Sequence, residues 1–435
     1  MLAMARDLRA FHWPLEFPEV FHRTPRGFDV IVANPPFLGS QLIRAAFGSA
    51  ATDYLHSRSG MLVDLCGLFM LRFRDLLNDR SAFGVVAPNS IAQAKMRRLV
   101  IVPLAREFEI SRACASRPWP GDASVHVAIV HMHRVGPGLI ARRRIVEACD
   151  PNGSVTGLVA VRSTTTISSF LDDGPETELY ELAGQGSIAF QGMIGRGKFD
   201  RPLKFAKQVP TRERRALYAH LNNRDLQHQS APRARRVVID VTDALADAGL
   251  LDATSGAQET WLKSNLPTLY AALRDTVRRE RRVLPDVRRN DRLRSSWWLF
   301  GNPCMALRSA WQGLALVIVI GAVGKTMVPQ SIARVDAGCG LPIVPTHQLF
   351  IIPSSSPAVL AILTSRVFET FTRRACSSLK SDLRFTPTEV FPFFPFPWLG
   401  GSSVLDVPEA VERRLTGPVQ SISAKPSSRT LNGTA

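Results

Sequence analysis

The sequence predicts an α/β fold: half of a doubly wound sheet, followed by a second, mixed α+β domain. Three observations carry this reading. Short β-branched apolar runs alternate with helix-periodic segments over residues 1–135. Turn-rich segments then break the alternation over 136–183. An arginine-rich stretch over 184–398 mixes both patterns, and a chain of 435 residues is long enough for separate cores.

"FDVIVAN" (Phe28–Asn34) is a β-branched apolar run and reads as a buried strand. "MLVDLCGLFMLRFRDLLND" (Met61–Asp79) spaces Leu62, Leu65, Leu68, Phe69, Phe73, Leu76 and Leu77 as a helix does, and the polar turn "NDRSA" ends it. "FGVVAPNS" (Phe83–Ser90) is a second buried strand running into a Pro-Asn corner. A helix follows through "AKMRRLVIVPLAREF", interrupted near Pro103. "EISRACAS" and "SVHVAIVHMH" then pair around the turn "RPWPGDA". Strand, helix, strand, helix and a closing antiparallel pair make half of a doubly wound sheet. The segments "RVGPGL", "DPNGSV" and "DDGPE" mark 136–183 as a linker or small strand region, and the polar tail over 399–435 carries one weak amphipathic helix before expected disorder.

The formal net charge is +17, carried mostly by arginine. Such an excess suits a polyanionic partner, although solvated arginine-rich faces produce the same count. Six scattered cysteines form no C-x-x-C pair, so neither a zinc site nor a disulfide framework is indicated, and no metal is expected. The N-terminus is no signal peptide, and the apolar run Gly313–Gly324 is too short to cross a bilayer. A cytoplasmic protein without a membrane partner is expected.

The segment with most chemistry in it is "DVIVANPPFLG". Two prolines fix the backbone and give their carbonyls rigid directions. Asn34 places an amide beside them, at the carboxyl end of a strand where α/β sheets bind ligands. Phe37 offers a flat apolar face. Together they can accept two hydrogen bonds from an amino group while stacking on the ring that carries it. A base presented that way must first leave its duplex. A packed Pro-rich turn has the same composition.

"GFDVIVANPPFLG" resembles motif IV of the amino-methyltransferases that use S-adenosylmethionine (SAM). With "FHWPLEFPEVF", "VVAPNSIAQ" and "CASRPWPGDASVHVAIVHMH" it resembles a narrower group, the gamma-type N6-adenine DNA methyltransferases of single-chain type II restriction–modification and phage-defence enzymes. "GSIAFQGMIGRGKFD", "LNNRDLQ", "RRVVIDVTD", "SWWLF", "KTMVPQSI" and "LKSDLRFTPTEVFPFFPFPW" are similar to the target-recognition region that follows in that group, so the resemblance spans roughly 11–398. It implies the second half of a SAM-methyltransferase (Rossmann-like) sheet, then an α+β target-recognition domain. It implies that Asn34 and the Pro35 carbonyl accept from the adenine amino group, that Pro36 stiffens the corner and that Phe37 stacks on the flipped base. Asn89 and Trp119 would wall the pocket, Trp119 being equally explicable as a packed turn aromatic, and Asp29 would be structural. In this family a glycine-rich loop ahead of the motif cradles SAM. The 33 residues before Asn34 hold only Gly27, so that loop is expected to be missing from this chain. The expected partners are double-stranded DNA and a separate chain supplying the SAM-binding lobe. A non-catalytic DNA-binding specificity module is the alternative.

In the second domain, Leu273–Phe300 holds nine arginines against four acidic residues and includes Trp297 and Trp298. That interleaving suits phosphate gripping with stacking, or a solvated helix with internal ion pairs. Arg278, Arg279, Arg281, Arg282, Arg288 and Arg289 there, Arg235 and Arg236 in "PRARR", and Arg196, Lys198 and Lys325 are the candidate DNA contacts, with Asn223 and Thr326 beside them. "VGKT" falls short of a phosphate loop because residue 319 is Val rather than Gly.

Overall fold

The computed structural model describes residues 11–60, 63–120, 122–123, 125–135, 144–147, 161–177, 179–182, 188–227, 232–284, 290–379, 382–398, 403 and 405–414. The chain divides into two compact units. The first is Met1–Tyr180 with Arg374–Ser381, and the second is Glu181–Arg373 with Asp382–Ala435.

The first unit is built on a six-stranded sheet in the order β1-β2-β4-β3-β5-β6. Its strands are β1 (Phe28–Ala33), β2 (Leu77–Pro88), β3 (Phe108–Pro118), β4 (His126–Arg134), β5 (Arg144–Glu147) and β6 (Val161–Thr164). β1 and β2 run parallel, whereas β4 lies antiparallel to both β2 and β3. Consequently β1, β2 and β3 all end at one edge of the sheet. Helix α1 (Ser40–Ser59), kinked at Gly48, and helix α2 (Leu65–Leu76) fill the parallel crossover. Met70, Phe73, Phe83, Val85, Phe108 and Val130 are among the residues of its core.

Two expectations change here. β1 is the outermost strand among the described residues and is not buried on both faces: Val30 is 61% and Val32 84% exposed. The polar stretch "NDRSA" does not separate helix from strand. It forms a bulge inside β2, where the register jumps from Phe28↔Leu77 to Val30↔Ala82. Asn78 anchors that bulge, donating to Asp29 Oδ1 at 2.6 Å while its own carbonyl accepts from Ser81 Oγ. Asp29 also accepts from Arg23 at 2.6 Å, and these bonds hold its carboxyl below the ordinary carboxylate range. The β3–β4 pairing around the Trp119 turn is as the sequence indicates, with Trp119 N donating to Val125 O at 2.9 Å.

The second unit mixes strands and helices around a separate core. One sheet has the order β14-β9-β10-β8, formed by β8 (Asp200–Pro202), β9 (Leu217–Leu221), β10 (Arg236–Ile239) and β14 (Ile343–Pro345). The other is antiparallel, in the order β13-β11-β15-β7, from β7 (Phe190–Gln191), β11 (Leu316–Gly321), β13 (Gln330–Ala333) and β15 (Leu349–Ile352). A short strand β12 (Val323–Gly324) pairs antiparallel with Asp382–Arg384. Arg308 ties the unit together from inside, paired with the buried Asp240 and with Asp243. Most of the expected disordered tail lies outside the described residues, and 409–414 are helical.

Candidate functional site

The Asn-Pro-Pro-Phe corner follows directly from β1. Ala33 pairs with Val85, so Asn34 leaves the sheet level with the last turn-ward residues of β2. Pro35 is buried, whereas Asn34, Pro36 and Phe37 are exposed, Phe37 at 39%. The corner thus has a buried proline beneath an exposed asparagine and an exposed ring.

The loop leaving the corner is pinned to α2. Leu65 N donates to Leu38 O at 3.0 Å, closing the loop on the helix start. Asp64 caps α2 by accepting from Cys66 N at 2.9 Å, and its carboxylate takes a second backbone bond from Leu38. Burial pushes the Asp64 carboxyl above the ordinary range against these two bonds. Next to it, burial lifts the Cys66 thiol to about 12, so this cysteine is packing rather than nucleophile. Gly67 lets the helical stretch 94–104 close on α2, since a Cβ there would come 2.8 Å from Val100 and 2.9 Å from Met96. The sequence reading did not single out Asp64; an Asp just before an apolar helix was the available signal.

Asn89 and Trp119 come to the same sheet edge as Asn34, because they follow the ends of β2 and β3. Both are half-buried, and Asn89 Nδ2 donates to Ser116 Oγ at 3.4 Å. Topology thus gathers the corner and both wall candidates on one edge.

The second unit sorts the expected DNA contacts. Arg196, Lys198, Arg235, Arg278, Arg279, Arg282 and Lys325 are exposed. Arg196 sits at φ +53° between Gly195 and Gly197, which projects it from a tight loop. Arg235 faces Asp225 at 3.6 Å, and half-buried Arg236 pairs with Asp200. Arg278 stands over the Trp297 ring at 5.6 Å. Arg288 and Arg289 lie outside the described residues.

Arg281 is a correction. It is 3% exposed, and its guanidinium donates to the carbonyls of Arg196, Gly195 and Leu299 at 2.7, 2.7 and 2.8 Å, with Leu293 O at 3.4 Å. It holds the Gly195–Gly197 loop from beneath and has no face left for a phosphate. Trp297 and Trp298 are corrected likewise: they are 5% and 1% exposed, and Trp298 Nε1 donates to Gln258 Oε1 at 3.1 Å. They are core residues, unable to stack on DNA.

Among the described residues no group of three or more His, Cys, Asp or Glu could hold a metal, and no helix is long and apolar enough to cross a membrane.

Residues 2–102 match the Eco57I restriction-modification methylase family. The chain is thus similar to restriction–modification methylases, with the corner inside the matched segment. No curated protein matches the chain. Among solved structures, the type IIL restriction-modification enzyme MmeI, determined in complex with DNA, aligns over 95% of this chain and 51% of its own, at 16% identity and a TM-score of 0.66. The fold is therefore the one seen in MmeI, and this chain spans about half of that enzyme's length. The type IIG restriction endonuclease BpuSI aligns over 93% of this chain and 50% of its own at 13% identity, but with a TM-score of only 0.29.

Proposed function

We propose that this chain carries the base-capture corner and the DNA-reading part of a site-specific adenine N6-methyltransferase of the restriction–modification type, with SAM as methyl donor. The observation that carries this reading is the Asn34–Phe37 corner. It stands open at the carboxyl end of a parallel strand, inside the segment that matches a methylase family.

The chemistry assigned to its residues is positional. Asn34 Oδ1 and the Pro35 carbonyl accept the two N–H bonds of a flipped adenine's amino group, leaving the nitrogen lone pair for the incoming methyl group. Phe37 stacks on the ring and replaces the stacking lost on leaving the duplex. Asp64 keeps the corner in place through Leu38. Pro36 holds its direction, and Asn89 and Trp119 bound the pocket. In the second unit, Arg196, Lys198, Arg278, Arg279, Arg282 and Lys325 supply phosphate contacts that set register on double-stranded DNA. A DNA enzyme of this kind works in the cytoplasm.

The resemblance puts the SAM cradle in a glycine-rich loop ahead of the corner, and Gly27 is the one glycine among the described residues there. Among the described residues β1 is the outermost strand and its far edge carries no partner strand, while Val30 and Val32 leave one of its faces bare. An unpaired strand edge of that kind accepts another strand readily, and a lobe holding SAM belongs there, brought by a separate chain or by more of this protein. The same bare edge favours a second reading, a DNA-binding specificity module that does not methylate.

Titrating duplex DNA against the full chain at rising salt tests the shared claim. Affinity should fall linearly on logarithmic axes, by about one unit of slope per phosphate neutralised. Equal preference for single-stranded RNA, or no binding at low salt, refutes both readings.

A further inference from the structure

The second unit holds a pocket of about 460 Å³ on one face of the sheet β14-β9-β10-β8, lined also by the loop Gly195–Gly197 and by Phe300. We infer that this pocket takes a nucleotide, with its planar heterocycle inside and its phosphate at the Arg196 rim.

Strand register builds the floor. Val344 stands opposite His220 in the parallel β9–β14 pair, and Thr346, two residues on, lines the same pocket. In β10, Arg236 stands opposite His220, and Val238 stands opposite Asp200 of β8, which puts these side chains on that face too. Phe199 and Phe300 meet edge to face at 4.8 Å and add aromatic carbon to the wall. A Cβ at Gly192 would collide with Thr346 O, so glycine lets this segment lie against Pro345 and Thr346, where Met193 N donates to Pro345 O at 2.8 Å. An apolar interior with a few placed polar groups is the usual make-up of a small-ligand site.

The polar groups decide what fits. Thr346 Oγ1 and His220 Nδ1 are buried without a hydrogen-bond partner. Groups left so are costly and call for an explanation, and here two of them belong to one pocket. Asp200 is paired with Arg236, and burial lowers the His220 pKa, so its imidazole is neutral near pH 7. The interior therefore disfavours a bare ion. A neutral imidazole and a hydroxyl each combine donor and acceptor capacity, which matches the mixed donors and acceptors on the edge of a nucleobase. The Gly195 and Arg196 carbonyls are already taken by Arg281, so the loop presents the exposed Arg196 side chain rather than acceptors. A guanidinium there suits the phosphate.

Such a nucleotide has two sources. One is free in solution. The other is extruded from bound DNA, and that source rests on the DNA-reading role proposed above.

The test has one arm for each source. The full chain is titrated with nucleoside monophosphates by calorimetry. It is also mixed with duplexes it retains, carrying aminopurine, which fluoresces when unstacked, at successive positions. The expected result is saturable binding of a free nucleotide, or a fluorescence rise at one duplex position. Thr346→Val should weaken that response about 2- to 10-fold, the worth of one neutral hydrogen bond, and melt no lower than wild type, since the lost hydroxyl had no partner. Thr346→Ser should restore it, and Thr346→Ala replaces the valine variant if that one fails to fold. A chain that binds no free nucleotide and shows no rise sensitive to Thr346 overturns the inference. So does a response that Thr346→Val leaves unchanged, and a rise lost only with Asn34→Ala belongs to the catalytic corner. Nucleotide binding by a chain that binds no duplex upholds the pocket and overturns the DNA-reading role, so the two failures are distinguishable.

Discussion

Replacing Arg281 by alanine separates an internal brace from a surface DNA contact. The side chain is buried, and its guanidinium serves four carbonyls, two of them in the Gly195–Gly197 loop that projects Arg196. Desolvation, the largest influence on it, brings its pKa down to about 10, so the bonds it makes must offset a real burial cost. Truncation removes that cost but strands the carbonyls, and breaking a buried charged network of this type costs about 3–5 kcal/mol. For a unit of this size that is a fall in melting temperature on the order of 10 °C. The assay is a thermal melt by circular dichroism, paired with DNA titration at a temperature where the variant remains folded. Arg279→Ala, exposed two residues earlier, should leave the melt nearly unchanged while weakening DNA binding. If Arg281→Ala melts within about 1 °C of wild type and loses only DNA affinity, the argument from burial is wrong.

Other perturbations have equally definite outcomes. Asp64→Ala removes the α2 cap and the Leu38 anchor, with a loss of about 1 kcal/mol expected in chemical denaturation and faster proteolytic cleavage near Leu38; Asp64→Asn, which keeps an acceptor oxygen, should recover much of both. His220 has its pKa lowered, first by burial and then by Arg236. The unfolded chain therefore takes up this proton before the folded one as pH falls below the ordinary histidine value, so stability drops with acidity in that window. His220→Gln should flatten the melting temperature between about pH 6.5 and 5, and an unchanged slope would show that His220 is not the group responsible.

Local pattern made part of this architecture legible. The β-branched run ending in Asn34, the apolar strand before Asn89 and the strand pair around Trp119 all depend on neighbours in sequence, and each stands where the pattern places it. The exposure of Val30 and Val32 was not legible, because an apolar run reads alike whether or not another layer covers it. Arg281 was half legible. Leu273, Val277 and Arg281 fall four apart and share the buried face, but counting charges hides that spacing. The meeting of Asn223, Gly321 and Asp382 around one opening was illegible, since a helix, a strand end and a strand pairing from segments far apart in the chain bring them together. Asn34 and Phe37 stood out because their chemistry is contained in four consecutive residues.

The most direct test of the central claim is base-resolved mapping of N6-methyladenine in the genome of the source cell, comparing the native allele with Asn34→Ala. Working in that cell supplies whatever holds the methyl donor. The account predicts that methylation disappears from one adenine-containing sequence context and persists in all others. A methylation map unchanged by Asn34→Ala would contradict it and leave a chain that reads DNA without methylating it.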